Sequence, residues 1–475
     1  MAYVVAQGGH MGPPLQEKML MKKAKLILAF YFCTLTFPLA SAQPSDAGQK
    51  AKEILSATGM TGGLVVQIGC GDGKLTAALR AGESYLVHGL DTKTQAVQGA
   101  REYIRKLGVY GPVSVEGFDG RHLPYVDNLV NLVVAEDLGE VSTAEAMRVL
   151  APGGVLYTKQ EGRWKKLVKP RPNTIDEWTH YLHDASGNAV AHDEVVGPPR
   201  HIQWIAEPRH TRSHEHIPSI YALVSTGGRI FYIADEASIG SIRQTPKWYL
   251  EARDAFNGIG LWKKPIETWF PHIVNWGQTP PQLERKLVAV GNRVYVTLGL
   301  FAPLSALDAA TGQMLKVYPN TEGAEEIILH KGTLLVVVRS VTEERIAESK
   351  KWAQLVKAKD SPVYVRETAE PLVKRLRAVE AGGAKTLLAL DADTGRLLWK
   401  KDGAVLSGLR AGSLCADADR VFYQNGKDVV CLDFATGREL WSVSSGPLRV
   451  VYNDSVFCSD GPTVTALSAD NGQTR

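Results

Sequence analysis

The chain has 475 residues, of which 44% are apolar and 22% charged, and its formal net charge is +4. These values are typical of a globular chain with two or three domains, and they exclude a disordered or fibrous protein. Part of the positive charge belongs to the first 42 residues, so no basic surface predicts a nucleic-acid partner.

A leader and signal peptide are predicted over residues 1–42, with the signal itself at about 21–42. Met21-Lys-Lys-Ala-Lys25 is positively charged, an apolar stretch follows, and Ala40-Ser-Ala42 supplies the small residues that precede cleavage. Residues 1–20 are interpreted as an over-extended start. The apolar stretch has about 14 residues, which is short for a bilayer span, so cleavage is favoured over an uncleaved anchor. We therefore expect a periplasmic or secreted protein with no integral membrane span after cleavage.

Residues 43–165 are predicted to form an α/β Rossmann-like doubly wound sheet. The apolar run from Gly63 to Ile68 predicts a buried strand, and a glycine-rich turn and a helix follow it. Glycines in such a turn let a ligand approach the backbone, and the amino end of the helix offers free amides. Later strands end near Asp91 and Asp119, and helical patterns separate them. This alternation predicts a parallel sheet.

In spacing and order, the region from about Ala51 to Lys159 resembles the class I S-adenosylmethionine-dependent methyltransferases. The glycine-rich turn, Asp91, Asp119 and the turn at Pro152-Gly-Gly carry the resemblance. It implies that the glycines face the methionine and ribose of S-adenosylmethionine, that Asp91 binds the ribose, and that Asp119 binds the adenine amino group. The candidate cofactor-binding residues are Gln67, Gly69, Cys70, Gly71, Gly73, Asp91 and Asp119.

Two departures from that family pattern leave the activity open. The acidic residue usual at the end of the first strand is Gln67 here, which weakens the expected grip on the cofactor's ammonium group. The last two strands of the family sheet have no evident counterpart after Thr158. One hypothesis is a degenerate fold that no longer turns over; the alternative is an active methyltransferase whose substrate is selected by the second module. Because methyl transfer often needs only proximity and orientation, no catalytic residue is nominated.

Residues 166–216 are predicted to be a linker rich in histidine and tryptophan. Seven of the twelve histidines fall between His180 and His216, in phrases such as Trp178-Thr-His180-Tyr-Leu-His183-Asp184. Imidazoles beside carboxylates can build a metal site, but neutral histidines also serve as hydrogen-bonding groups. His210, His214 and His216 lie in a proline-bounded loop, and we expect no metal.

Residues 217–475 carry five copies of one phrase, and the clearest runs from Ala389 to Trp399. In each copy a glycine stands four residues after an Asp or its substitute, between two apolar runs, which predicts two strands joined by a tight turn. The pairs are Asp254/Gly258, Asp308/Gly312, Asp391/Gly395, Asp433/Gly437 and Ser468/Gly472. Repeated hairpins of this kind predict a β-propeller or a β-solenoid, and as an all-β propeller the copies would supply about five blades. Between the second and third copies, a helical insertion is predicted at about 341–383.

The repeat resembles the tryptophan-docking motif of the pyrroloquinoline-quinone (PQQ) dehydrogenase-like propellers. The resemblance implies that each tryptophan packs on the neighbouring blade and that a complete ring has about eight blades, so this propeller is expected to be incomplete and the sequence truncated. Quinone-binding members place an adjacent cysteine pair over the quinone, and this sequence has no Cys-Cys. PQQ is therefore not expected. An exported protein that binds a ligand, glycan or protein on its propeller face ranks first, and a PQQ-dependent dehydrogenase ranks third.

Overall fold

The structure is a computed structural model that describes residues 46–195, 197–198, 202–207, 220–237, 247–266, 283–299, 301–344, 346–347 and 383–475. Four histidines of the linker (His201, His210, His214 and His216), the signal peptide and most of the insertion at 341–383 lie outside these residues. Within the described ranges, no helix has the length and apolar character needed to cross a bilayer.

The first module is a six-stranded sheet in the order β3-β2-β1-β4-β5-β6, with helices between its strands. Its elements are α1 (Asp46–Thr58), β1 (Gly63–Ile68), α2 (Lys74–Ala78), β2 (Tyr85–Asp91), α3 (Thr94–Lys106), β3 (Val113–Gly117), β4 (Val130–Ala135), α4 (Thr143–Val149), β5 (Leu150–Gln160) and β6 (Arg163–Val168). Strands β1 to β5 are parallel. Every residue of β1 is buried, as expected for a central strand covered on both faces. The predicted doubly wound sheet is confirmed.

One expectation for this sheet is corrected in part, because the sheet has one strand after β5 where none was evident in the sequence. Strand β6 pairs antiparallel with β5 from Val155↔Val168 to Gln160↔Arg163, so a strand does follow Thr158. Its sequence, Arg-Trp-Lys-Lys-Leu-Val, has four exposed and two half-buried residues and lacks the apolar run of a central strand. It is an edge strand that pairs only with β5, and its polar sequence therefore gives no clear strand signal.

The second module consists of five consecutive antiparallel sheets, four with four strands and the last with three. Their strands are β7 (Ile220–Thr226), β8 (Arg229–Asp235), β9 (Trp248–Asp254), β10 (Gly260–Pro265), β11 (Leu287–Val290), β12 (Arg293–Thr297), β13 (Leu304–Asp308), β14 (Met314–Val317), β15 (Ala324–His330), β16 (Thr333–Arg339), β17 (Lys385–Asp391), β18 (Leu397–Lys401), β19 (Cys415–Asp417), β20 (Arg420–Asn425), β21 (Asp428–Asp433), β22 (Glu439–Ser444), β23 (Leu448–Tyr452), β24 (Ser455–Ser459) and β25 (Val464–Ser468). Short 3₁₀ helices lie at Leu283–Lys286 and Gly403–Leu406.

The first strands of neighbouring sheets contact one another in sequence, from β7 to β11, β15, β19 and β23. These five strands are therefore the innermost strands of successive propeller blades. Each innermost strand pairs antiparallel with the next strand in sequence, as β7 does with β8. The insertion at 341–383 connects β16 and β17, which pair from Thr333↔Asp391 to Arg339↔Lys385.

The repeated turn follows the predicted chemistry. In the third blade, the amide of Gly395 donates to the carbonyl oxygen of Asp391 at 2.8 Å, and the Asp391 carboxylate accepts from the amide and hydroxyl of Thr394. The equivalent glycines have φ angles between +68° and +75°, a conformation that favours glycine. They are Gly258, Gly312, Gly395, Gly437 and Gly472.

Indole rings pack on these glycines across the blade boundaries. A Cβ atom placed on Gly312 would lie 2.6 Å from the ring of Trp262, and the Trp262 Nε1 donates to the carbonyl oxygen of Ala309 at 3.1 Å. The same arrangement joins Trp399 to Gly437 and Trp441 to Gly472. The tryptophan-docking prediction is therefore confirmed for these blade pairs.

The two modules meet at the amino edge of the parallel sheet. Asn131, the second residue of β4, donates from its side-chain amide to Oδ2 of Asp254 at 2.6 Å. Asn257 in the same propeller turn donates to the carbonyl oxygen of Leu129 and to Oδ1 of Asn131. Ile259 also packs against the core below β4. The first propeller turn is thus docked where β4 begins.

Candidate functional site

A glycine-rich loop follows β1 at the carboxyl edge of the sheet. Gly69, Gly71 and Gly73 have φ angles of +76°, +53° and +78°. No atom lies within 4 Å of a Cβ placed on Gly69 or Gly71, whereas one on Gly73 would lie 2.9 Å from the Cβ of Ala100 on α3. The first two glycines leave room for a ligand beside the backbone, and the third permits close packing of the helix.

Asp91 is the last residue of β2 and lies beside that loop. Its Oδ2 accepts a hydrogen bond from the amide of Gly71 at 3.1 Å, and its Oδ1 accepts from the amide of Lys93 at 3.0 Å. Each carboxylate oxygen keeps a second lone pair, which suits a pair of ribose hydroxyls. The structure therefore brings Gly69, Gly71 and Asp91 together as predicted from the sequence.

Cys70 lies under the loop and is nearly inaccessible to solvent. Its burial, with a further contribution from the charge of Asp91, raises the pKa of the thiol to about 11. A thiol with this pKa is neutral at physiological pH and is a poor nucleophile. Cys70 is therefore a packing residue beneath the loop, and it contributes backbone to the candidate site.

Gln67 is buried, and both ends of its side-chain amide are hydrogen-bonded within the domain. Its Oε1 accepts from the hydroxyl of Thr76 at 2.8 Å, and its Nε2 donates to the carbonyl oxygen of Gly69 at 3.1 Å. Nε2 therefore already donates to one lone pair of the Gly69 carbonyl oxygen. An amide thus takes the position of the acidic residue that is usual in the family, as noted in the sequence.

Asp119 lies in the loop after β3 and is engaged with its own turn. Its Oδ1 accepts from the amides of Arg121 and His122, and its Oδ2 lies 2.7 Å from Nδ1 of His122. These hydrogen bonds, led by that from the His122 amide, hold the pKa of Asp119 well below its ordinary value. The loop starts next to Asp91, because the amide of Phe118 donates to the Asp91 carbonyl oxygen. Asp119 is thus near the site, but its carboxylate already has several donors.

Glu136 was not singled out in the sequence although it follows the last residue of β4. It forms ion pairs with Lys50 on α1 and with Lys159 at the end of β5. The carboxyl ends of adjacent parallel strands meet at one edge, so the position of Glu136 after an apolar strand was the available signal. These ion pairs connect α1 and the end of β5 to the carboxyl end of β4.

Comparisons with known proteins agree with this geometry. A family model described as a methyltransferase domain matches residues 65–154, and one described as the outer membrane protein assembly factor BamB matches residues 247–475. The chain joins a methyltransferase-like domain to a PQQ-like β-propeller. Residues 65–154 contain all seven candidate cofactor-binding positions.

Individual relatives match locally. The methyltransferase GfsG of Streptomyces halstedii is 32% identical over 99 residues, which cover 19% of this chain and 35% of that protein. The solved structure of the [4+2]-cyclase SpnF is 26% identical with a TM-score of 0.22, and the match covers 23% of this chain and 43% of that one. Geranyl diphosphate C-methyltransferase from Streptomyces coelicolor A3(2) is 19% identical with a TM-score of 0.21 and coverages of 23% and 44%. The chain spans about a third of the curated relative and under half of these structures.

The propeller contacts the methyltransferase-like domain far from the glycine loop. Asn131 and Leu64, whose amide donates to Oδ1 of Asn131, lie at the amino ends of their strands. The loop begins after Ile68 at the other end of β1, which has six residues. A strand of that length spans about 20 Å. The docking contact and the candidate cofactor site are therefore on opposite edges of the sheet.

The histidine-rich linker crosses the innermost strands of all five blades. Its atoms accept hydrogen bonds from a backbone amide on each of β7, β11, β15, β19 and β23 in turn. The pairs are Trp178 with Ser225, Thr179 with Ala289, His180 with Leu329, Ala185 with Ala416, and Ser186 with Val451. Amides on the inner edge of a blade need partners, and this segment supplies them. Residues 178–186 of the linker are thus an axial segment of the propeller.

Two of the linker histidines are buried in this axial segment. The Nε2 of His180 accepts from the Leu329 amide at 3.0 Å, and burial lowers the pKa of His180 to about 4. Neutral His180 therefore serves as a hydrogen-bonding group, one of the two roles considered for these histidines. His183 lies on the same segment beside Asp176, Asp184 and His192.

Proposed function

We propose that this is an exported protein that acts by binding a partner through its propeller, and that its methyltransferase-like domain no longer transfers methyl groups. The observation that carries the second part is the engagement of Gln67 with Thr76 and Gly69. The open space beside Gly69 and Gly71, together with the carboxylate of Asp91, supports a retained adenosine half of the S-adenosylmethionine site. The carboxylate that would hold the ammonium group is replaced by an amide.

The propeller's similarity to a family described as an outer membrane protein assembly factor supports the binding role. The charged, apolar and small-residue pattern at residues 21–42 supports export. Sequencing the amino terminus of the protein recovered from the periplasm or the medium tests export, and Gln43 is the expected first residue. Cytoplasmic protein that keeps residues 21–42 would contradict it.

The opposite placement of the two functional surfaces argues against a propeller that selects the substrate of an active methyltransferase. Asn131 and Asp254 join the modules about one strand length, or about 20 Å, from the glycine loop. A substrate held on the propeller would have to reach around the sheet to meet the methyl group. The open space above Gly69 and Gly71 is the observation that keeps active methyl transfer as the second candidate.

The axial segment argues against quinone chemistry. A redox quinone needs a platform, a cation and a base that converge on the propeller axis. The innermost strands here are hydrogen-bonded to residues 178–186, and the repeat carboxylates, such as those of Asp308 and Asp391, accept from their own turns. These residues do not fit PQQ.

Calorimetry with three ligands tests the proposed loss of the ammonium grip. S-adenosylmethionine and S-adenosylhomocysteine carry the ammonium group, and methylthioadenosine lacks it. We expect the wild-type protein to bind all three with similar affinity. Gln67→Glu should bind the first two about tenfold more tightly, since a hydrogen bond to a charged group contributes about 1.5–3 kcal/mol, and should leave methylthioadenosine unchanged.

The variant Asp91→Asn serves as the matched control, because all three ligands contain the ribose and the variant should lower the affinity for each of them. Two results would contradict the hypothesis of a degenerate domain and would favour an active methyltransferase. In the first, the wild-type protein binds S-adenosylmethionine much more tightly than methylthioadenosine; in the second, it converts S-adenosylmethionine to S-adenosylhomocysteine over many turnovers. Absence of heat with every ligand would exclude the retained adenosine site.

A further inference from the structure

His183 has an unusual environment for a buried histidine in the axial segment. Its side chain is 4% exposed, and its backbone is left-handed with a φ of +65°. Its Nε2 lies 2.7 Å from Oδ2 of Asp176, an arrangement in which the ring donates to the carboxylate. A non-glycine residue in this conformation costs about 1 kcal/mol or more, and such residues cluster at functional sites.

The hydrogen bond to Asp176 determines which ring nitrogen is available. With the proton on Nε2, the Nδ1 of a neutral His183 carries a lone pair. This Nδ1 is buried and has no hydrogen-bond partner. Oδ2 of Asp184 lies 3.3 Å away from it. A lone pair that faces a carboxylate oxygen at this distance is unfavourable unless a cation lies between the two atoms.

His192 completes a group of three candidate ligands. The centroid of its ring lies 5.1 Å from the ring centroid of His183, and the angle between the two ring planes is 84°. Ligand atoms of His183, Asp184 and His192 all lie within 4.8 Å of one another. Two ligands of a tetrahedral ion with bonds of about 2.0–2.1 Å are separated by about 3.3 Å. The Nδ1–Oδ2 distance equals that separation.

We propose that His183, Asp184 and His192 bind one divalent transition-metal ion of the Zn²⁺ type. Two imidazoles and one carboxylate are a common protein ligand set for such ions when a fourth position is left to water or substrate. The Asp184 side chain is 42% exposed and His192 is exposed, so solvent reaches that fourth position. This proposal differs from the expectation in the sequence analysis, which was that no metal is bound.

Neighbouring hydrogen bonds hold the three ligands in place. Asp176 orients the His183 ring, and its Oδ2 also accepts from the His192 backbone amide at 2.7 Å. Oδ1 of Asp184 accepts from the amide and hydroxyl of Ser186, which leaves Oδ2 directed to His183. A carboxylate behind a metal-bound histidine is the usual support of such sites. Asp176 is therefore a positioning residue.

The test uses the full-length chain without an affinity tag, freed of metal by dialysis against a chelator. Titration with ZnCl₂ should give one equivalent of uptake in the calorimeter. Titration with CoCl₂ should give visible ligand-field bands of the strength typical of four-coordinate cobalt. Asp176→Asn should retain uptake with about 10–100-fold weaker affinity, the usual effect of losing the carboxylate behind a metal-bound histidine.

His192→Ala and Asp184→Asn should abolish uptake, and Asp184→Asn keeps the oxygen that accepts from Ser186. The matched control is His122→Ala, which removes an exposed histidine paired with Asp119 in the other module and should bind metal as the wild type does. Circular dichroism checks that each variant is folded. No uptake by the wild type, or unchanged uptake by His192→Ala, would overturn the site.

Discussion

The side-chain amide of Asn131 donates to the buried carboxylate of Asp254 at 2.6 Å, and this contact joins the methyltransferase-like domain to the propeller. Burial raises the pKa of Asp254, while the hydrogen bonds from Asn131 and from the Phe256 and Asn257 amides lower it. Oδ1 of Asn131 accepts in turn from the Leu64 amide. The Asn131 side chain thus forms hydrogen bonds with polar groups of both modules.

Asn131→Ala is therefore expected to destabilise the protein by about 1–3 kcal/mol, because it leaves a buried carboxylate oxygen and the Leu64 amide without this partner. Urea unfolding followed by circular dichroism measures the change. Gln98→Ala, at an exposed position on α3, is the control and should change stability by less than about 0.5 kcal/mol. Equal stability of Asn131→Ala and the control would show that the contact between the modules contributes nothing.

The parts of the fold that the sequence predicted depend on local chemistry. The Asp391–Gly395 turn is specified by an Asx hydrogen bond and a left-handed glycine, both within five residues. The loop after β1 and the position of Asp91 follow from an apolar strand, its glycines and the next strand. Such signals survive in a single sequence because each is complete within one or two elements.

The parts that the sequence did not predict depend on contacts between distant residues. The axial segment accepts from five strands spread over more than 220 residues, from Ser225 to Val451, and no local pattern marks those amides. Trp204 occupies the docking position on Gly258, although it lies before the first repeat. The pairing of His183 with Asp176 and His192 likewise depends on a turn in the linker and not on helical spacing.

A tyrosine takes the docking role where the repeat lacks tryptophan. The second copy has Lys316 in that position, and the hydroxyl of the fully buried Tyr318 donates to the carbonyl oxygen of Ala392 at 2.5 Å. Tyr318→Phe should cost about 1 kcal/mol, because a buried hydrogen bond is lost without loss of volume. Chemical unfolding measures it, and Tyr452→Phe, at an exposed tyrosine on β23, is the control. No difference between the two variants would refute the docking role of the Tyr318 hydroxyl.

The indole of Trp399 provides a second test of blade packing. A Cβ atom on Gly437 would lie 2.6 Å from that ring, whereas one on Gly426 would meet no atom within 4 Å. Both glycines are left-handed, with φ angles of +69° and +62°. Gly426→Ala should therefore cost about 1–2 kcal/mol from backbone strain alone. Gly437→Ala should lower the free energy of unfolding by about 1–3 kcal/mol more than Gly426→Ala does, since the added methyl group overpacks the boundary between the two blades.

Thermal or urea unfolding of the two glycine variants gives the comparison directly. Because the backbone penalty is common to both, the difference between them isolates the contact between Gly437 and Trp399. If the two variants lose the same stability, the tryptophan does not pack on this glycine in solution. A larger loss for Gly426→Ala would likewise contradict the docking geometry.

The buried His180 predicts a pH dependence of stability. Burial lowers the pKa of His180 to about 4, so the folded protein keeps the ring neutral while the unfolded chain takes up a proton near pH 6.5. The stability associated with neutral His180 is present above pH 6.5 and is lost as the pH falls toward 4. Between pH 7.5 and pH 5 the loss from this residue should be about 2 kcal/mol.

The variant His180→Gln isolates that contribution, because a glutamine oxygen can still accept from the Leu329 amide but does not titrate. The free energy of unfolding of the wild type and of the variant is measured by urea denaturation at pH 7.5 and at pH 5. The wild type should lose about 2 kcal/mol more than the variant between the two pH values. Parallel losses in both proteins would mean that His180 is protonated in the folded state and that the axial segment does not bury it.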